Sequence, residues 1–441
     1  MNEPENRPRA FALMPFIVFA AFYTGLSLKA GDFYRVSMPA AFAVASASAF
    51  LLDRRRTLSG KVEGYARGMG HSDIMTMALI FILAGAFTGV ARASGAVDAA
   101  VAIAQALIPS RLMLSGTFLV SCLISLAVGT SCGTIAAVTP IALGFASAIG
   151  TDPAMLLGAV VGGAMFGDNL SLISDTTVAA TRTQGVPMRE KFLSNIFIAA
   201  PAALVALVVY GLIGSGAATT ASVAVTGRHL LLVTPYIFIL ILALFGVNVM
   251  VLLFAGTVIS AALGFSLGCF GALESVDIAG KGMLGMSETL IVAMLAGGLF
   301  AIVRDAGGIA WLVQAAGRIM RGPRSCEAGI ALLTAAVNAF TANNTVAIVI
   351  AGPVARECAQ SRGMDPVRTA SILDTASCIV QGVIPYGAQI LIALGVARAA
   401  NMPLDGLSLV SRMYYPMLLA IAVAGSIALR LPRSGRRYTA A

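Results

Sequence analysis

The chain of 441 residues is 58% hydrophobic and only 11% charged, with a net charge of +9 and a mean hydropathy of +0.90. A soluble domain carries roughly 25% charged residues, so this composition excludes one, and apolar runs that are continuous rather than alternating exclude an outer-membrane barrel. The basic excess reads as residues kept on cytoplasmic loops, which makes the lipid bilayer the main partner and leaves no role for nucleic acid.

Apolar runs fall at 11–28, 37–52, 74–93, 112–149, 154–181, 192–213, 229–246, 249–268, 287–303, 327–360, 367–396 and 411–430. The first follows a charged N-terminus but has no small-residue cleavage pattern, so it reads as a retained helix rather than a signal peptide. Runs 112–149 and 327–360 are long and polar at their centres. Each is two spans or one re-entrant hairpin, and either choice crosses the membrane an even number of times. The segments 95–110 and 305–321 mix apolar with charged residues at helical spacing and read as interfacial amphipathic helices.

The basic connection 53–73, with Arg54, Arg55, Arg56, Lys61 and Arg67, is placed in the cytoplasm. Counting onward puts Arg182, Arg189, Lys191, Arg304, Arg318, Arg321, Arg324, Arg356, Arg362, Arg368, Arg433, Arg436 and Arg437 on the same side. The segments 29–36, 214–228 and 268–286 fall outside. Both termini are then cytoplasmic, in an inner (plasma) membrane of bacterial type. His71 and His229 flank spans and are assigned no proton relay. The six cysteines show neither a CxxC pair nor metal spacing and read as small packing residues.

One stretch breaks the apolar pattern. Asp168, Asn169, Ser171, Ser174, Asp175, Thr176 and Thr177 place seven hydrogen-bonding side chains within ten residues. A carboxylate at bilayer depth costs on the order of 2.5 kcal/mol or more, so it is paired, turned to a cavity, or functional. Asp168 and Asp175 are seven residues apart, about 10 Å along a continuous helix. They share one ion only if the helix unwinds between them, which membranes tolerate where the break lines a cavity.

The sequence also repeats itself. Asp152-Pro153 recurs as Asp365-Pro366 and Pro140 as Pro353, both shifted by 213, while Arg92 with Gly95 recurs as Arg304 with Gly307 at 212. Pro15 pairs with Pro235 and Pro201 with Pro416. Five spans and one hairpin per half is an odd number of crossings, so the second half inserts upside down. The expected fold is an all-α polytopic membrane protein of two inverted repeats, 1–220 and 221–441. Each has about five transmembrane helices plus one re-entrant hairpin, with discontinuous helices.

The shift of 213 maps Asp168 onto Gln381, Leu172 onto Pro385 and Thr176 onto Gln389. In the second half Gly382, Pro385 and Gly387 supply helix-breaking chemistry; in the first only Gly167 does. The hairpin centres add Thr130, Ser131 and Thr134, and Asn343, Asn344 and Thr345. Together with Gln381 and Gln389 these offer carboxylate, hydroxyl and amide oxygens, the ligands of a hard cation, with Asp168 and Asp175 as the candidate Na+ carboxylates. A proton competes with a cation for a buried carboxylate, which suffices for exchange. Half-helix N-termini equally suit an anionic group of a substrate. Serine and threonine in membrane helices also bond back to their own backbone, and Asn343-Asn344 also suits interhelix contact. Asp374 fits a structural role as well as a functional one.

The segment GDNLSLISDTT, Gly167–Thr177, resembles the NhaC-type Na+/H+ antiporter family, over nearly the whole chain. Members typically carry GDxxSPxSDTT, and here Leu172 stands where proline is common. The extended form SDTTVAATRTQG is similar to a branch that includes suspected histidine-type amino-acid permeases. The resemblance implies paired hairpins, discontinuous helices, an elevator-like movement and often a homodimer. It transfers a site role to Asp168, Asn169, Ser171, Ser174, Asp175, Thr176 and Thr177 only.

The expected function is therefore a secondary antiporter exchanging Na+ for H+, with these ions as cargo and no cofactor. The alternative is a Na+- or H+-coupled permease for an amino acid or other organic solute. A passive channel fits inverted halves and broken helices less well. An intramembrane enzyme has little support, since HExxH and a membrane-embedded histidine to act as base are both missing.

Overall fold

The computed structural model describes residues 7–30, 36–52, 56–172, 174–214, 225–245 and 247–432, and among them every regular element is helical. Arg54, Arg55, Arg433, Arg436 and Arg437, used for the orientation, lie outside the described residues. The first half forms α1 (Met14–Ala30), α2 (Met38–Leu52), α3 (Leu58–Met69), α4 (Ser72–Ala93), α5 (Ala96–Leu107), α6 (Met113–Val128), α7 (Ser131–Ile149), α8 (Pro153–Leu170), α9 (Asp175–Gln184) and α10 (Met188–Gly214). The second half forms α11 (Gly227–Leu232), α12 (Thr234–Leu244), α13 (Val249–Ser266), α14 (Ala272–Gly285), α15 (Ser287–Asp305) and α16 (Gly308–Ile319). It ends with α17 (Pro323–Thr341), α18 (Asn344–Gln360), α19 (Pro366–Val383), α20 (Ala388–Ala399), α21 (Gly406–Ser411) and α22 (Tyr414–Leu429). Nine helical stretches among the described residues are long and apolar enough to cross a membrane. The chain is an all-helical polytopic membrane protein.

Local chemistry explains the element ends. Asp152 and Asp365 cap α8 and α19 by accepting backbone N–H bonds, with proline at the first helical position in both. Gly95 and Gly307 turn α4 into α5 and α15 into α16 at φ of +83° and +90°, a region open to glycine at little cost. The long polar-centred runs split into α6–α7 at Gly129 and α17–α18 at Ala342, both left-handed.

Geometry recurs along the chain. The α8–α9 break runs from Leu170 to Asp175, and the α19–α20 break from Val383 to Ala388, each bound shifted by 213. Ser125 Oγ donates to the Ala164 carbonyl at 2.6 Å, and at the same shift Asn338 Nδ2 donates to the Ser377 carbonyl at 2.6 Å. Packing crosses between halves reciprocally. Helices α2 and α3 lie on α15, while α13 and α14 lie on α4; α9 lies on α18, while α20 lies on α7. Glycines allow the closest crossings. A Cβ on Gly85 would come 2.3 Å from the Gly282 carbonyl, and one on Gly68 2.6 Å from that of Gly297.

Several expectations need correction. The segments 53–73 and 268–286, taken as connections, contain the packed helices α3 and α14. Lys61 is buried there and donates to the Phe50 carbonyl at 2.7 Å. Gly167 does not break a helix: it lies inside α8, where a Cβ would come 2.4 Å from the Leu126 nitrogen of α6. Pro15 and Pro235 each fall at the second residue of α1 and α12, where proline is tolerated. Arg368, counted among cytoplasmic arginines, is buried and bonded to both carboxylate oxygens of Glu327 at 2.7 and 2.8 Å.

Candidate ion-binding site

Four helix N-termini converge where the breaks and hairpin tips meet. The starts of α7, α9, α18 and α20 enclose a cavity of about 370 Å³. Ten predicted residues line it: Thr130, Ser131, Asp168, Asp175, Thr176, Asn343, Asn344, Thr345, Gln381 and Gln389. A helix N-terminus carries roughly half a positive charge, so the four together set a positive field, which the carboxylates Asp168, Asp175 and Asp73 oppose. Asp73, in the first turn of α4, was not among the predicted residues.

A hydrogen-bonded chain joins the two halves across the cavity wall. Ser131 Oγ donates to Asp168 Oδ2 at 2.7 Å and accepts from Gln389 Nε2 at 2.9 Å. Gln381 Nε2 then donates to Gln389 Oε1 at 2.7 Å and to the Ala342 carbonyl at 3.0 Å. Asp168, Ser131, Gln381 and Gln389 are all buried. Two buried polar atoms of lining residues, Gln381 Oε1 and Asn344 Nδ2, have no hydrogen-bond partner among the described residues. Such orphans are rare, and both belong to side chains able to meet a bound solute. Asn343 caps α18 through the Val346 N–H at 3.1 Å and donates to Asp73 Oδ2 at 3.5 Å. Asp73 and Asn343 also line a neighbouring pocket of about 140 Å³ with His71 and Arg304.

The other five predicted residues do not line the cavity. Thr134 bonds back to the Thr130 carbonyl at 3.1 Å. Ser174 caps α9 through the Thr177 N–H at 3.2 Å, and Thr177 Oγ1 donates to the Ser171 carbonyl at 2.8 Å. Asn169 accepts from Asn195 Nδ2 at 2.6 Å through its side chain and at 3.0 Å through its carbonyl. Behind them lies a charged pair. Lys191, expected at the cytoplasmic surface, is buried against the carboxylate of Asp374. Its ammonium also donates to the Asn169 carbonyl at 2.9 Å and to Thr177 Oγ1 at 2.7 Å. Asp374 is thus part of a buried ion pair rather than the cavity lining.

The profile of the Na+/H+ antiporter family matches residues 10–212 and again 213–431. The chain belongs to this family. Its relatives include the Na(+)/H(+) antiporter NhaC of Bacillus subtilis, 27% identical over 380 residues, covering 78% of this chain and 82% of that protein. NhaC of Alkalihalophilus pseudofirmus is 24% identical over 340 residues, covering 70% and 73%. The malate-2H(+)/Na(+)-lactate antiporter of B. subtilis matches a shorter region, 28% identical over 204 residues and covering 46% and 43%. Among solved structures, Neisseria gonorrhoeae MtrF aligns with a TM-score of 0.39 at 13% identity over 86% of this chain and 85% of that one. Alcanivorax borkumensis YdaH aligns with 0.40 at 15% over 85% and 88%.

Family membership makes this chain a membrane transporter of the NhaC-type antiporters. The residues that sequence reading missed had faint signals. Lys191 sits in a charged segment, Met188-Arg-Glu-Lys191, that looks like a loop. Yet Lys191, Ser194, Asn195, Ile198, Ala199 and Ala202 share one buried helical face of α10. Asp73 lies one residue before an apolar run and was absorbed into the preceding loop.

Proposed function

We propose that the protein exchanges Na+ for H+ across the inner (plasma) membrane, with the two ions competing at Asp168 and Asp175 in the central cavity. One observation carries this reading: Asp168 is buried, lines the cavity, and is tied through Ser131 to the amides of the opposite half. A carboxylate in such a place is neutralised by a proton or by a cation, never stably by neither. Hydroxyls and amides around it supply the remaining oxygens a hard cation needs. The two halves act as inverted repeats, 1–220 and 221–441, and alternate access to the cavity by moving against each other.

A second reading has its own observation. Thr130 before α7 makes no side-chain cap bond, Gly387 before α20 has no side chain to cap with, and Asn344 Nδ2 is a buried donor with no partner among the described residues. These are the donors a carboxylate-bearing solute would use, so an amino acid or related organic acid carried with Na+ or H+ fits the same cavity. The malate/lactate antiporter among the relatives is in keeping with such a cargo.

Proteoliposomes under an imposed pH gradient separate the two. Proton release on adding Na+ alone is the expected result. Silence until a labelled amino acid or organic acid is supplied would reject the antiporter and favour the solute carrier. Asp175→Asn abolishes coupled exchange while leaving the fold intact; normal exchange by that variant would remove Asp175 from the mechanism.

A further inference from the structure

The buried pair behind the α8–α9 break has the chemistry of a cation site already filled from within. The Lys191 ammonium meets three oxygens: the Asp374 carboxylate, the Asn169 carbonyl and Thr177 Oγ1. One is a charged ligand, one a backbone carbonyl at the end of a helix, one a hydroxyl. That is the set a hard monovalent cation takes from a protein. Asn195 Nδ2 holds the set together by bridging the Asn169 carbonyl and Asp374 Oδ2 at 3.0 and 2.8 Å. Asp374 Oδ1 and Asn169 Nδ2 have no partner among the described residues, so polar capacity exceeds what the lysine uses.

The other half shows what the lysine replaces. The pairs Pro201 and Pro416, and Gly214 and Leu429 at the ends of α10 and α22, share a shift of 215. That shift carries Lys191 onto Gly406, where a Cβ would lie 3.2 Å from the Pro385 side chain in the α19–α20 break. Proline ends that helix by removing a donor, and a glycine packs behind it. The first break has Leu172 in place of proline, and a charged side chain fills the space behind it.

We propose that Lys191 is a tethered cation, its ammonium occupying an oxygen-lined monovalent-cation seat on the back of the α8–α9 break and leaving only the cavity face for an exchangeable ion. The proposal does not depend on which solute crosses the cavity. Removing the ammonium while keeping Asp374 turns the seat into a site for a free cation.

The test uses full-length purified protein in detergent, with Asp168→Asn in every sample to weaken binding at the cavity. Thermal unfolding is followed against NaCl, KCl and methylammonium chloride, with choline chloride at equal ionic strength as control. Asp168→Asn/Lys191→Ala should gain a saturable rise in melting temperature with Na+ or methylammonium that Asp168→Asn lacks. Adding Asp374→Asn should abolish that rise. A Lys191→Ala protein indifferent to all three cations, or equally responsive with Asp374→Asn, overturns the proposal. Where Lys191→Ala does not accumulate in the membrane, its yield with methylammonium in the growth medium decides: recovery supports the seat, and no recovery rejects it.

Discussion

Ser131 stands between the two chemistries of the candidate site, donating to the Asp168 carboxylate and accepting from the Gln389 amide. Losing one hydrogen bond to a buried charged group costs about 1–3 kcal/mol. Ser131→Ala should therefore raise the Na+ concentration for half-maximal exchange by about tenfold, and an unchanged value would show that the bond does not tune the site. The Arg368–Glu327 pair plays a different part. Arg368 also reaches Ser426 and the Leu431 carbonyl at 3.1 and 2.6 Å, so it pins the end of α22 to α19. Arg368→Met leaves the buried Glu327 with only Arg430, at 4.0 Å, and should cost about 3 kcal/mol of stability, read as a lower melting temperature in detergent. Residue chemistry was legible where it was acidic or amidic inside an apolar run. It was illegible for Lys191 and Arg368, because a basic residue near the end of a span reads as a surface anchor until its helical face is known.

At the scale of elements, helix starts were well signalled, since Asp-Pro before α8 and α19 is a cap and a first-turn proline in two letters. Helices α3 and α14 were hidden by their charges. Glu63 and Arg67 pair along α3 at 3.0 Å, and Asp277 and Lys281 pair along α14 at 2.6 Å, four residues apart in both. What makes these helices fit is small residues on the hidden side. Gly85→Ala would push a Cβ against the Gly282 carbonyl and should destabilise the protein by about 1–3 kcal/mol through overpacking. Gly116→Ala in α6 meets nothing within 4 Å among the described residues. It should instead stabilise by about 0.5–1 kcal/mol, because alanine loses less chain entropy on forming a helix. Paired melting curves of the two variants check both signs.

At the scale of the whole molecule, the halves are interleaved rather than stacked, each laying helices on the other's α4 or α15 and α7 or α18. The proposed inversion of the second half would put equivalent positions on opposite sides of the membrane. Ala106 of α5 and Arg318 of α16 are exposed and shifted by 212. With native cysteines replaced, Ala106→Cys should react with an impermeant maleimide only from outside and Arg318→Cys only from inside. Reaction of both from one side would reject the inversion.

Composition and hydropathy alone determined that the protein is a polytopic helical membrane protein, because about 20 apolar residues per span leave no other fold able to satisfy the backbone in lipid. The polar stretch Asp168–Thr177 and its counterpart near Gln381 likewise stood out by sequence, since polar side chains are too costly at that depth to be incidental. Only the tertiary structure decided how that stretch divides. Asp168, Asp175 and Thr176 face the cavity, while Asn169, Ser171, Ser174 and Thr177 turn toward or support Lys191. Which face a residue takes depends on where the helix stops and what packs behind it. The stop at Leu170 is held by side chains of α9 and α10, the farthest of which, Asn195, bonds Asn169 from 26 residues along the chain.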